Sequence, residues 1–208
     1  MPRGRTARQP TEGDRSKSAR TRERILAGAA EVLSRKGYAG TRLTDVAEVA
    51  RVQAPAIYYY WTSRDDLIEE VVTVGQQATL EHVVAELDAL PADASAMDRI
   101  LRAVAAHLEV VLSRSDFSLA AIRNAGQLPS AIRERQLVGQ RAYADVWRDL
   151  IDRALAEDAL APVDRRAARM LVLGALNWAP EWWNPARSSL ETVVATTQHL
   201  VRRGLGRS

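Results

Sequence analysis

From Arg20 onward, apolar residues return at intervals of three and four, and no stretch alternates polar with apolar between hairpin turns. That spacing gathers apolar side chains into one stripe of a helix, whereas a half-buried strand needs a period of two. The chain is therefore predicted to be all-α. Ile25, Leu26, Ala29, Val32 and Leu33 mark a first helix, which Gly37 stops in the manner of a C-terminal glycine. Shorter helices fit Leu43–Ala50 and residues 54–61. Thr62 or Ser63 then caps a longer helix that reaches about residue 90, with Leu67, Val71, Val74 and Ala78 on one face. "PADASAMD" connects it to helical stretches at 100–112, 117–125, 131–157 and 164–183, and Leu190–Leu205 closes the chain.

Charge is divided unevenly along these segments. Residues 1–64 hold thirteen Lys and Arg against six Asp and Glu, a net of +7, while the rest of the 208 residues carries −4. Such a basic first third suits a polyanion partner, although a basic tail without any partner would give the same count. Residues 1–18, rich in Arg, Ser, Thr and Pro, are expected to form a disordered tail. They lack the apolar stretch of a secretory signal, and no run in the chain is long enough to cross a bilayer. With no cysteine, disulfide and thiolate chemistry are excluded. A soluble cytoplasmic protein is the expectation.

Catalysis needs a constellation of groups, and none is visible. His82, His107 and His199 fall on different predicted helices without metal-ligand spacing, so no metal and no cofactor are implied. No G-x-S-x-G, Walker A or G-x-G-x-x-G pattern occurs. The expectation is that the chain is not an enzyme.

The two short helices joined at "ARVQ" fit a helix-turn-helix. Ala47 provides a small residue where the helices cross, and Val46, Ala50, Val52, Ile57 and Tyr60 have the spacing to fill the wedge between them. The second helix is then free to enter a major groove with its first residues against base edges. The tight turn usually has glycine, because one residue there often needs positive φ; this chain has Arg51, for which a left-handed conformation would cost about 1 kcal/mol.

Residues 37–67, "GYAGTRLTDVAEVARVQAPAIYYYWTSRDDL", resemble the DNA-binding domain of TetR-type transcriptional regulators. The resemblance lies in Gly37-Tyr38, Thr41-Arg42, Val46-Ala47, Ala50-Arg51-Val52-Gln53, Ile57-Tyr58-Tyr59-Tyr60-Trp61 and Ser63-Arg64. Arg42 replaces the second threonine of that pattern and Gln53 the serine cap of the recognition helix. Pro55 sits in the first turn of that helix, where its missing N–H is tolerated. The resemblance implies a tail at 1–18, a helix-turn-helix domain at 19–63 and a helical ligand-binding and dimerisation domain at 64–208. It also implies Thr41, Arg42 and Thr44 as contacts to the DNA backbone, Gln53, Ala54 and Pro55 nearest the bases, and Arg64 as a phosphate clamp. Helical facing turns Ile57 and Trp61 to the core, Tyr58 and Tyr59 to the groove, and divides Tyr60 between core and backbone. A bare core plug is the other reading of that aromatic cluster, and it leaves Tyr58 and Tyr59 without a purpose.

Members of the family bind a pseudo-palindromic operator as homodimers, mostly as repressors, and a small-molecule effector releases them. By that resemblance 164–183 and Leu190–Leu205 are candidates for the dimer seam, ordinary core packing being the alternative. The stretch 174–185, "GALNWAPEWWNP", is similar to one in regulators that answer acyl-CoA or other lipid-degradation ligands; it would wall a pocket, seal the dimer or plug the core. His107, Phe117, Arg123, Tyr143, Trp147, Asn177 and Trp178 are the candidate effector contacts. The helix starting at Arg64 joins both domains and is the expected lever. A helical adaptor binding other proteins is the rival reading, and it leaves the +7 segment and the outward tyrosines unexplained.

Overall fold

A computed structural model describes residues 12–207. Helices α1 (Glu12–Gly40), α2 (Leu43–Ala50), α3 (Ala54–Ile57), α4 (Arg64–Asp88), α5 (Ala96–Glu109), α6 (Asp116–Asn124), α7 (Ser130–Ala156), α8 (Arg165–Trp182) and α9 (Leu190–Leu205) follow one another. The described residues contain no strand; one isolated bridge pairs Leu160 with Gly206. The all-α expectation holds.

Most helix boundaries follow local chemistry. Ser63, Ser95, Ser115, Asp164 and Ser189 each accept a backbone N–H three residues on, satisfying one of the donors that a helix start leaves open. Ser95 explains why α5 begins at Ala96 rather than at residue 100: the cap draws Met97 and Asp98 out of the expected connector. At its far end α5 continues into a π-helical turn, Val110–Arg114. Helix α3 is shorter than expected, because Tyr60 N–H bonds the Ile57 carbonyl at 2.9 Å and so tightens 58–60 into a turn.

Helix α1 differs from expectation at both ends. It begins at Glu12, so residues 12–18 of the expected tail are helical, while 1–11 lie outside the described residues. Gly37 breaks it with φ 70 and ψ 175, as a stop signal should, although helical residues resume as far as Gly40.

Two apolar cores form. The first takes Ile25, Ala29, Leu33, Val46, Ile57 and Trp61 from the N-terminal helices, and also Leu67, Ile68, Val71 and Val72 of α4. Ala120 and Ala121 of α6, with Leu128 and Ile132, complete it, so this packing unit is larger than residues 19–63. The second core joins Val83 of α4 to Ile100, Val104, Trp147, Ile151, Leu176, Val193 and Val201 from α5, α7, α8 and α9. Helix α4 thus enters both. It meets α6 closely at Gly75, where any Cβ would strike the Phe117 backbone, and the Ser118 hydroxyl bonds the Gly75 carbonyl at 3.1 Å.

Candidate nucleic-acid interface and ligand cavity

The helix-turn-helix depends on two close approaches. Arg51 adopts φ 53 and ψ 50, the left-handed conformation that its position demanded. Arg24 of α1 offsets that strain by donating to the carbonyls of Ala50 and Arg51, two acceptors that the end of α2 leaves open. The small residue at the crossing of α1 and α2 is Gly28, whose added Cβ would stand 3.2 Å from Ala50 N and 3.3 Å from Val46 O. The helix-turn-helix pattern of α2 and α3 does not reveal it, because Gly28 lies on α1, outside that motif.

The aromatic segment divides as its helical facing predicts. Ile57 and Trp61 are buried, at 1% and 5% exposure, whereas Tyr58 and Tyr59 stand 60% and 81% exposed. Tyr60 lies between these extremes and its hydroxyl is 3.1 Å from Ser18 Oγ, in the helical part of the expected tail. Trp61 Nε1 donates to Glu70 at 2.7 Å, and Arg22 holds the same carboxylate at 2.6 Å while covering the indole face. This network joins α1, the segment after α3 and α4 by charge-assisted bonds.

Two expected backbone contacts have other work. Thr41 is only 2% exposed and its hydroxyl donates to the Gly37 carbonyl at 2.7 Å. Arg64 stacks over Tyr38, donates to the carbonyls of Tyr38 and Thr41 at 3.1 and 3.2 Å, and reaches Asp65 at 3.2 Å. Its Nη1 thus serves carbonyls at the broken end of α1 while its Nε and Nη2 face Asp65, so Arg64 braces the end of α1 against the start of α4. Arg42, Thr44, Arg51, Gln53, Pro55, Tyr58 and Tyr59 remain exposed around α3, and Ala54 is half-buried. Neither Arg42 nor Gln53 caps its helix with its side chain, so both polar ends face outward.

A cavity of about 710 Å³ opens among α4, α5, α6, α7 and α8. Its lining includes His107, Tyr143 and Asn177 of the expected effector contacts, with Gln76 and Thr79 of α4 as further polar groups. The His107 Nδ1 lies 2.7 Å from the Tyr143 hydroxyl, and its Nε2 is buried without a close hydrogen bond. Burial pushes the imidazole down to about 4, with the Asn177 side chain pulling the other way, and burial also raises the Tyr143 phenol. The inner polar group of the cavity is thus uncharged at neutral pH.

The other expected contacts are placed elsewhere. Trp147 is fully buried behind Tyr143, ring edge to face, and Phe117 packs on the first core. Arg123 bonds Ser34 O on α1 and Pro180 O on α8, each at 3.0 Å, and pairs with Glu181 at 2.6 Å. Beside it, Asn124 Oδ1 accepts the Tyr38 backbone N–H at 2.7 Å. Arg123 and Asn124 therefore fasten α6 to the end of α1. Trp178 is 65% exposed on α8, in an apolar row with Leu171, Ala175 and Trp182. Leu200 of α9 is also exposed.

Folding brings one histidine toward carboxylates: His82 Nε2 lies 3.1 Å from Glu109, with Glu86 adjacent. Arg102 pairs with both acids, at 3.0 Å to Glu86 and 3.2 Å to Glu109. A guanidinium already supplies the positive charge there, so the cluster is an ion-pair network in character. No helix among the described residues is long and apolar enough to cross a membrane.

A basic helix-turn-helix head fused to a helical body that encloses a cavity defines a ligand-responsive DNA-binding regulator. Comparison with known proteins agrees. The family described as "Bacterial regulatory proteins, tetR family" matches residues 25–71, and "Tetracyclin repressor-like, C-terminal domain" matches residues 93–205. The chain belongs to the TetR family of transcriptional regulators. AibR, solved with isovaleryl coenzyme A and operator DNA, shares the fold at TM-score 0.79 and 18% identity, covering 87% of this chain and 97% of its own. KstR2 of Mycobacterium tuberculosis, a ketosteroid transcriptional regulator, gives TM-score 0.77 at 15% identity over 90% of this chain and 95% of its own. A TetR/AcrR regulator from Thermobifida fusca is 29% identical, with TM-score 0.65, over 89% of this chain and 98% of its own. No curated protein sequence matches the chain.

Proposed function

We propose that this regulator is a cytoplasmic repressor that binds a pseudo-palindromic operator as a homodimer and is released when an apolar or amphipathic effector enters the cavity. The carrying observation is that α4 and α6 wall the cavity and also complete the core of the DNA-binding head. An effector that repositions either helix therefore acts on the head without a longer relay.

Within this reading, α3 enters the major groove with Gln53, Ala54 and Pro55 foremost, and the Gln53 amide has the bidentate geometry that suits adenine. Tyr58 and Tyr59 pack on sugar or a thymine methyl with their hydroxyls toward phosphate, while Arg42, Thr44 and Arg51 hold the backbone. The exposed row Leu171, Ala175, Trp178 and Trp182, together with α9, forms the dimer seam. Arg123 links that seam to α1 through α6, which supports α6 as a second lever beside α4. Acyl-CoA compounds are the effector class favoured here; AibR, of the same fold, binds isovaleryl coenzyme A and operator DNA.

Fluorescence anisotropy with the inverted repeat beside the gene tests the reading, using a scrambled duplex as control. Affinity for the repeat should exceed that for the scramble by about 10³-fold or more and fall steeply with salt. Isovaleryl coenzyme A is the first effector to titrate. Linkage requires DNA to weaken effector binding by the same factor by which effector weakens DNA binding. Absence of salt-dependent binding rejects the DNA role, and equal effector affinity with and without DNA rejects the coupling.

A further inference from the structure

The cavity sorts its lining by polarity. Ala121, Ile122, Ala144, Met170 and Leu173 make its walls apolar. The charged lining residues, Arg133 and Glu134, are exposed on the first turns of α7, with Ser130 and Leu137 close by in sequence and likewise exposed. Its buried polar members are Thr79 and His107, with Tyr143 half-buried.

Thr79 donates its hydroxyl to the Gly75 carbonyl at 2.8 Å, which leaves the His107–Tyr143 pair, with Asn177 beside it, as the open polar feature there. His107 is 1% exposed, and its Nε2 makes no close hydrogen bond, although the Asn177 side chain on the same lining lies near enough to favour its charged form. An orphaned polar atom of this kind is costly to bury, and a ligand atom that meets it recovers the loss. When the Tyr143 hydroxyl donates to Nδ1, the neutral imidazole must carry its proton on Nε2, so the missing partner is an acceptor. A neutral oxygen satisfies that need. A carboxylate would have to shed its hydration against walls that hold no cation, at a far larger penalty.

We propose that the effector is a largely apolar molecule whose buried portion carries an uncharged carbonyl or ether oxygen, a thioester carbonyl included, read by the His107–Tyr143 pair, with any charged portion held at the mouth beside Arg133. This inference rests on the reading of the cavity as the effector site. It narrows that reading to a chemical class, since a free fatty acid entering carboxylate-first is excluded.

The test uses the full-length protein and three ten-carbon compounds: 2-decanone, decanoate and decane. Each displaces a bound apolar dye whose fluorescence reports occupancy of the cavity. The ketone should bind about 10-fold more tightly than decane and at least as much more tightly than decanoate, as one satisfied polar partner implies. Tyr143→Phe and His107→Phe should each bring ketone and alkane within about 3-fold of one another. Tyr143→Phe removes only the hydroxyl, so it retains the test if His107→Phe fails to fold. Ala144→Trp fills the cavity and should abolish displacement by every compound.

The outcomes separate two failures. If Ala144→Trp abolishes binding but decanoate equals or exceeds the ketone, the chemical class is overturned and the effector site stands. Unchanged ketone selectivity in both phenylalanine variants likewise overturns the role of the pair. If dye and compounds bind unaltered in Ala144→Trp, or if none binds the wild-type protein, the cavity is not the effector site and both readings fall.

Discussion

The head and the helical body treat buried polar atoms in opposite ways. In the head, Trp61 Nε1, the Thr41 hydroxyl and the Tyr38 backbone N–H each have a partner at 2.7 Å. Among the described residues, the buried side-chain atoms that make no close hydrogen bond, among them Arg99 Nε and His107 Nε2, all lie in the body, where Asp152 Oδ1 meets only the Arg165 guanidinium at 3.4 Å. A surface that must match a fixed groove gains from being fully satisfied and rigid. A sensor must instead keep groups whose partners arrive with the ligand. The exposed aromatics differ in the same sense. Tyr58 and Tyr59 offer hydroxyls in a basic neighbourhood, as a polyanion requires, while Trp178 and Trp182 continue an apolar row, as a second protein surface requires.

The largest expected effect probes the satisfied head. Trp61→Ala should remove about 3–5 kcal/mol of stability in urea unfolding, because it empties a packed site and strands the Arg22–Glu70 pair. A loss below about 1 kcal/mol would mean the head is no more tightly built than the body.

Acidification probes the unsatisfied body. The folded His107 titrates at about 4, below the ordinary 6.5, so between those values the unfolded chain binds a proton that the native state refuses. Stability from this residue is complete above pH 6.5 and declines as pH falls toward 4, by about 3 kcal/mol in total. Denaturation measured across that window should show the slope in wild type and lose it in His107→Phe.

Smaller effects concern the two kinds of exposed aromatic. Trp178→Asp should weaken self-association by about 30-fold or more in sedimentation equilibrium, the loss typical of a buried interface tryptophan. Tyr59→Ala should lower operator affinity by about 1–2 kcal/mol while changing stability by less than about 1 kcal/mol. Interchanged results, with Tyr59 altering association and Trp178 altering operator affinity, would reverse the assignment of the two surfaces. The smallest effect lies in the salt slope. Arg51→Ala should reduce it by about one unit, whereas Arg64→Ala should leave it unchanged and destabilise the head instead.

Much of this architecture was legible in the residues, and the limits are physical. Apolar spacing and local caps define single helices, so α2, α9 and the facing of Ile57 and Trp61 followed directly. The left-handed Arg51 followed from the turn that its neighbours impose. Periodicity cannot say which helices meet, however. It therefore grouped Phe117, Arg123, Trp147 and Trp178 with His107, Tyr143 and Asn177, although only the last three line the main cavity. The roles of Arg24 and Arg64 were hidden for a related reason. Both arginines answer carbonyls exposed by a turn or a broken helix, which no side-chain pattern records.

The shared first core has a consequence for anyone wishing to recombine such regulators. Its apolar surface closes only when Ala120, Ala121, Leu128 and Ile132 are present, some sixty residues beyond the helix-turn-helix. A chimera joined at residue 64 would mate the head to a foreign α4 and α6, and the graft would inherit mismatched packing where α1 meets Ala120 and Ala121 and is fastened by Arg123 and Asn124. Transplanting this DNA specificity onto another sensor is therefore better done by exchanging surface residues around α3 than by cutting the chain between domains.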